Sequence, residues 1–107
     1  MVGQHVQVRV ISVKRLREFW SRHPDAETPL RQWYKLALHA RWQSIRDVRA
    51  DLPSADGVTN HRGETLTVFN IGGNKYRLVA RIRYDYQLIN IRAVLTHAEY
   101  DKGKWKE

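Results

Sequence analysis

Near its C-terminus the chain runs Thr96-His97-Ala98-Glu99-Tyr100-Asp101-Lys102, which gathers an imidazole, a phenol, carboxylates and an ammonium in one short stretch. Histidine is the residue type that carries protons near neutrality, so His97 is the natural proton carrier of this run. Upstream, Lys75 to Arg83 alternates cations with apolar residues. In a strand that alternation puts Tyr76, Leu78, Ala80 and Ile82 on one face and Lys75, Arg77, Val79, Arg81 and Arg83 on the other. One face is core and the other is basic. Arg92, on the next strand, joins the basic face if Ile89, Ile91, Ala93 and Leu95 point to the core. Cations alternating on an exposed strand often do no more than solubilise it. Here like charges repel along the strand and few acids lie nearby in sequence, which calls for an anionic ligand.

These residue types suit RNA cleavage without a metal. A 2′-OH loses a proton as it attacks the adjacent phosphate, negative charge gathers on phosphorus, and the 5′-oxygen is protonated as it leaves. Arginine supplies fixed charge, His97 moves a proton, and Tyr100 orients the substrate, stacks on a base or shares the proton transfer. Lys102 and Lys104 extend the positive charge beyond the run. His5, His23, His39 and His61 show no metal-ligand spacing, and Glu99 does not complete one with His97. Neither a metal nor another cofactor is assigned.

The elements that must position these residues are legible in outline. Gln7 to Ile11 reads as a short strand, and Ser12 as a helix cap. Val13, Leu16, Phe19 and Trp20 recur at helical spacing until Pro24. Thr28-Pro29 starts a second helix, striped by Leu30, Trp33, Ala37 and Ala40 and ending near Ser44. Trp20, Trp33 and Trp42 belong to those helical stripes, while Trp105 is unassigned. Asp47 to Leu52 adds a helical turn, and Ser54 to Gly63 is a polar loop. Leu66 to Ile71, the turn Gly72-Gly73-Asn74, Tyr76 to Tyr84, and Leu88 to Leu95 form a three-stranded meander. The order β-α-α-β-β-β predicts an α+β fold with two N-terminal helices on one face of an antiparallel sheet.

The 107 residues fit one domain spanning the whole chain. Their 19 Lys and Arg against 11 Asp and Glu leave a charge of +8, which favours a polyanionic partner. With no cysteine, disulfide and thiolate chemistry are excluded. The N-terminus lacks a charged start followed by an apolar run, and no segment is of membrane-spanning length, so the expectation is a cytoplasmic protein that does not engage membrane.

The run Val68-Phe69-Asn70-Ile71-Gly72-Gly73-Asn74-Lys75-Tyr76-Arg77-Leu78-Val79-Ala80, followed by Ile91-Arg92-Ala93-Val94-Leu95-Thr96-His97-Ala98-Glu99-Tyr100-Asp101-Lys102, resembles the HigB toxins of the RelE-like superfamily. The first half resembles them in helix order and in the stretch from Phe19-Trp20 to His23-Pro24. The resemblance implies a RelE-like fold and an endoribonuclease that enters the ribosomal A site and cuts mRNA. It also implies a HigA-type helix-turn-helix antitoxin as partner.

By position, Arg77 matches the phosphate-binding arginine of RelE-like toxins. His97 falls where they carry an arginine or, in the YafQ-like branch, a functional histidine, and Tyr100 lies near a functional tyrosine. Where RelE carries two strand lysines this chain has Val68 and Asn70. A lysine base there is excluded, which throws weight on His97 or leaves Asn70 and Lys75 as positioning residues. The resemblance thus marks Arg77, His97 and Tyr100 as catalytic. Asn70, Lys75, Arg81, Arg83, Arg92, Lys102 and Lys104 would contact RNA. A ParE-like protein on the same fold, poisoning gyrase by binding alone, and an inactive RNA-binding module are the alternatives.

Overall fold

A computed structural model describes residues 7–107; the N-terminal stretch, with His5, lies outside the described residues. The elements are β1 (Arg9–Ile11), α1 (Lys14–Arg22), a 3-10 turn (Pro24–Ala26), α2 (Glu27–Ala40), α3 (Ile45–Asp51), β2 (Asp56–Thr59), β3 (Thr65–Ile71), β4 (Tyr76–Arg83), β5 (Leu88–Thr96), α4 (His97–Lys102) and a second 3-10 turn (Lys104–Lys106). The α+β class and the helices-then-strands order agree with the sequence reading. None of the described helices is long and apolar enough to cross a membrane.

The five strands form one sheet in the order β1-β5-β4-β3-β2. β2 to β5 pair antiparallel, as the meander predicts, while β1 adds to β5 in parallel. The sheet is therefore mixed, because the chain leaves β1 through a helical crossover rather than a hairpin. Ser12 does not cap α1. It takes a left-handed φ of 66° and its hydroxyl donates to Asn90 at 3.2 Å, tying the crossover to β5. α2 stops at Ala40, earlier than its apolar stripe suggests, because Arg41 adopts the left-handed conformation and Asp47 then accepts from the Gln43 amide at 2.8 Å. Part of the polar segment before Gly63 is not loop but β2, an edge strand paired with β3.

The apolar stripes of α1 and α2 close over one face of the sheet. Leu16, Phe19, Leu30, Trp33, Ala37, Trp42 and Val48 pack with Phe69, Ile71, Tyr76, Leu78, Ala80, Ile89 and Ile91. Trp33 and Trp42 both lie against Phe69, with centroids 5.4 and 6.0 Å away; Trp33 is core as its helical spacing implies, whereas Trp42 lies past the end of α2 and reaches the core from the connection that follows. Trp20 is half-buried, with the Arg31 guanidinium 4.8 Å from its ring.

A bulge sets the other face. Ala80 pairs with Ile91 but Val79 pairs with Ala93, so Arg92 is an extra residue on β5. The insertion reverses the alternation beyond it. Ala93 and Leu95 therefore face away from the helices, contrary to the sequence expectation, and join Leu66, Val68 and Val79 in a second apolar cluster. Tyr100 and Trp105 of the C-terminal segment cover this cluster. The face opposite the helices is not a bare cationic surface but an apolar patch bordered by arginines.

Candidate active site

Arg77 is the second residue of β4, opposite Asn70 on β3 and Leu95 on β5. Its position follows from the turn: Gly72 and Gly73 take left-handed φ values of 64° and 70°, which brings Asn74 back over the start of β4. The residue is only 9% exposed. Its Nη1 donates to the carbonyls of Asn74 and Tyr76, both at 3.1 Å, and Nη2 donates to Asn74 Oδ1 at 2.6 Å. A guanidinium has five N–H donors, so the Nε–H and one Nη2–H remain on one edge, the fork that binds a phosphate in bidentate fashion. Every acceptor it meets among the described residues is neutral. A buried cation solvated only by carbonyls favours an incoming anion.

Thr96-His97-Ala98-Glu99 is a capping box that turns the chain from β5 into α4. Thr96 Oγ1 accepts from the Glu99 amide at 3.2 Å, and the Glu99 carboxylate accepts from the Thr96 amide at 2.9 Å. The Thr96 hydrogen bonds hold the Glu99 carboxyl below its ordinary range. His97 is thus the first residue of a helix rather than the end of a strand. Its half-exposed imidazole lies with Nδ1 3.0 Å from Asp101 Oδ2, one turn on. Tyr100 on the same helix carries the site towards Arg77, whose guanidinium carbon is 5.4 Å from the phenol centroid. The indole of Trp105 stacks on Tyr100 at 4.9 Å and 14°, and its Nε1 donates to the Tyr100 carbonyl at 2.9 Å.

The remaining cations are dispersed. Lys75 turns towards the helix layer, where it pairs with Asp25, and the Tyr76 hydroxyl donates to the same carboxylate at 2.6 Å. Both contacts hold Asp25 below its ordinary range, and Asp25 pushes the Lys75 ammonium and the Tyr76 phenol up. Lys75 therefore does not stand on the face of Arg77. Arg81 and Arg92 converge on Glu64, at 3.1 and 3.0 Å. The scarcity of acids near this strand is only apparent, since the pairing of β3 with β4 and of β4 with β5 brings Glu64, which leads into β3, to the far end of the same face. Arg83 is partnered by Asp85 at 3.7 Å and lies over Tyr86, about 20 Å along β4 from Arg77. Asn70, in register with Arg77, is exposed, as are Lys102 and Lys104. The structure brings together Arg77, Asn70 and Tyr100, carries the His97–Asp101 pair on the same helix as Tyr100, and sets Lys75, Arg81, Arg83 and Arg92 apart.

Glu64 is held down to about 2, first by the hydrogen bond from Arg92 and then by that from Asn60. A carboxylate lowered on folding adds stability above its unfolded value, and that stability is lost as pH falls through the folded one. Urea unfolding followed by circular dichroism should therefore show the parent losing stability more steeply than Glu64→Gln between about pH 4.5 and 2.

Residues 26–103 match the family described as HigB_toxin, RelE-like toxic component of a toxin-antitoxin system. The chain belongs to the HigB toxin family. It is 30% identical over 94 residues, 88% of each chain, to the mRNA interferase toxin HigB of Escherichia coli strain K12 and to the mRNA interferase HigB of Shigella flexneri. An mRNA interferase HigB of Escherichia coli O6:H1 is 24% identical over 95 residues, 89% of this chain and 90% of its own length. Against this HigB background, three site-related residues escaped the sequence reading. Asn74 looked like turn filler but holds Arg77 through both its carbonyl and its side chain. Asp101 stood in plain view beside His97, and the spacing from Thr96 to Glu99 was the signal that a helix would bring the two together. Glu64 had no local signal, because its role arises from strand pairing.

Proposed function

We propose that this HigB-family chain is an mRNA interferase that cuts mRNA in the ribosomal A site during translation, without a catalytic metal. It would arrest growth from the cytoplasm until a HigA-type helix-turn-helix antitoxin neutralises it. The observation that carries this reading is the buried Arg77 guanidinium, with neutral acceptors and a free donor edge, one helix away from the His97–Asp101 pair.

Arg77 would take the scissile phosphate on its Nε and Nη2 edge and stabilise charge as the phosphorus becomes five-coordinate. Asp101 accepts from Nδ1–H, which in the neutral ring leaves Nε2 as the acceptor, and in that form His97 acts as the general base. It removes the 2′-OH proton, that oxygen attacks phosphorus, and the bond to O5′ breaks, leaving a 2′,3′-cyclic phosphate and a 5′-hydroxyl. In an in-line displacement O5′ departs opposite the attacking oxygen, beyond reach of the same imidazole. In this reading a ribosomal group supplies its proton, which gives a chemical reason for ribosome dependence.

A purified translation extract and the same transcript without ribosomes test the reading. Cleavage is expected in the extract within minutes and to be at least tenfold slower on naked RNA. An intact transcript in both, or inhibition of DNA supercoiling with mRNA untouched, would overturn it.

A further inference from the structure

The C-terminal turn contains features that the cleavage chemistry does not use. Trp105 is partly exposed, and Lys102, Lys104 and Lys106 flank it. None of the three lysines pairs with a carboxylate of the described residues, and the Lys106 ammonium lies 5.5 Å from the indole centroid. The turn is fixed in place: Gly103 caps α4 with a φ of 75°, Trp105 donates to the Tyr100 carbonyl, and the Lys106 carbonyl accepts from the His61 amide at 2.8 Å. Tyr100, in contrast, already has an indole stacked on it and a guanidinium over its ring. A ring so engaged is a support for Arg77, whereas Trp105 has one face on Tyr100 and the other covered only by the ammonium of its neighbour Lys106, a flexible cover that an incoming base displaces. Residues 104–107 lie beyond the stretch that matches the family.

We infer that Trp105, flanked by Lys102, Lys104 and Lys106, is a binding site for single-stranded RNA beside the cleaved phosphate: the indole stacks one base and the ammonium groups meet the neighbouring phosphates. The inference rests on the reading of the chain as an RNA-cutting toxin. A base stacked on an aromatic side chain needs no particular sequence, and the surrounding cations add salt-dependent affinity.

The test is the anisotropy of a labelled 12-nucleotide single strand, and of the same sequence as a duplex, titrated with the purified full chain. Trp105→Leu keeps an apolar cover over Leu66 and Val79 but offers no ring, and is expected to weaken single-strand binding about tenfold with duplex binding unchanged. Trp105→Phe is expected to stay within about threefold of the parent. Equal single-strand binding by parent and Trp105→Leu overturns the site, as does an equal loss on strand and duplex. Cleavage by the parent in the translating extract is scored alongside. A parent that cuts mRNA while Trp105→Leu binds like it removes only the Trp105 site, whereas a parent that does not cut removes the functional reading itself.

Discussion

Replacement of Arg77 by alanine is expected to lower the rate of mRNA cleavage in a translating system by about 10²–10³-fold, the usual cost of deleting one preorganised donor to a developing oxyanion. The fold should survive. Three hydrogen bonds are lost with the side chain, each worth about 0.5–1.5 kcal/mol, but the desolvation of a guanidinium with no carboxylate partner is relieved at the same time. Arg77→Lys should recover little, because an ammonium cannot hold the Asn74 carbonyl and side chain while offering a two-pronged edge to phosphate. Asn74→Ala separates positioning from charge: with the cation present but held by the two backbone carbonyls alone, turnover should drop about tenfold with little change in the ribosome concentration at half-maximal rate. Single-turnover cleavage on programmed ribosomes, with far-UV circular dichroism of each variant, reads these effects. A folded Arg77→Ala that cuts at the parental rate would remove Arg77 from the chemistry.

Much of this architecture is legible because the local signals agree with the final fold. The stripe from Leu16 to Phe19 and that from Leu30 through Trp33 to Ala37 are buried, and the Gly72-Gly73 turn joins two strands of the expected register. Sequence reading fails where one residue changes the geometry of all that follow. The extra Arg92 in β5 reverses the faces of Ala93 and Leu95, and nothing in an otherwise regular strand pattern marks it. It also fails where partners come from distant segments. Lys75 and Asp25 meet because a 3-10 turn between two helices rests on a hairpin, and Glu64 meets Arg81 and Arg92 only once three strands are side by side. The cations were therefore visible, but not which of them were already neutralised. Arg77 emerges from the series because its neighbours are carbonyls rather than carboxylates.

His97 is the group whose loss should equal or exceed that of Arg77. His97→Ala is expected to reduce single-turnover cleavage by about 10²–10⁴-fold, the contribution of a positioned general base, with ribosome binding retained. The companion variant is Asp101→Asn. Its amide oxygen can still accept from Nδ1–H, so the ring keeps its orientation, but the negative charge that stabilises the imidazolium formed on proton abstraction is gone. The expected loss is smaller, about tenfold, and it should fall on the cleavage step rather than on binding. Added imidazole should restore part of the activity of His97→Ala, because the space vacated at the exposed start of α4 is open to solvent, and should do nothing for Asp101→Asn, whose own ring still occupies it. If His97→Ala loses activity while Asp101→Asn matches the parent, His97 works without its carboxylate and the base assignment stands on the imidazole alone. If both variants cut at the parental rate, the proton is taken by a group the ribosome supplies, and this chain contributes only the phosphate-binding half of the site through Arg77.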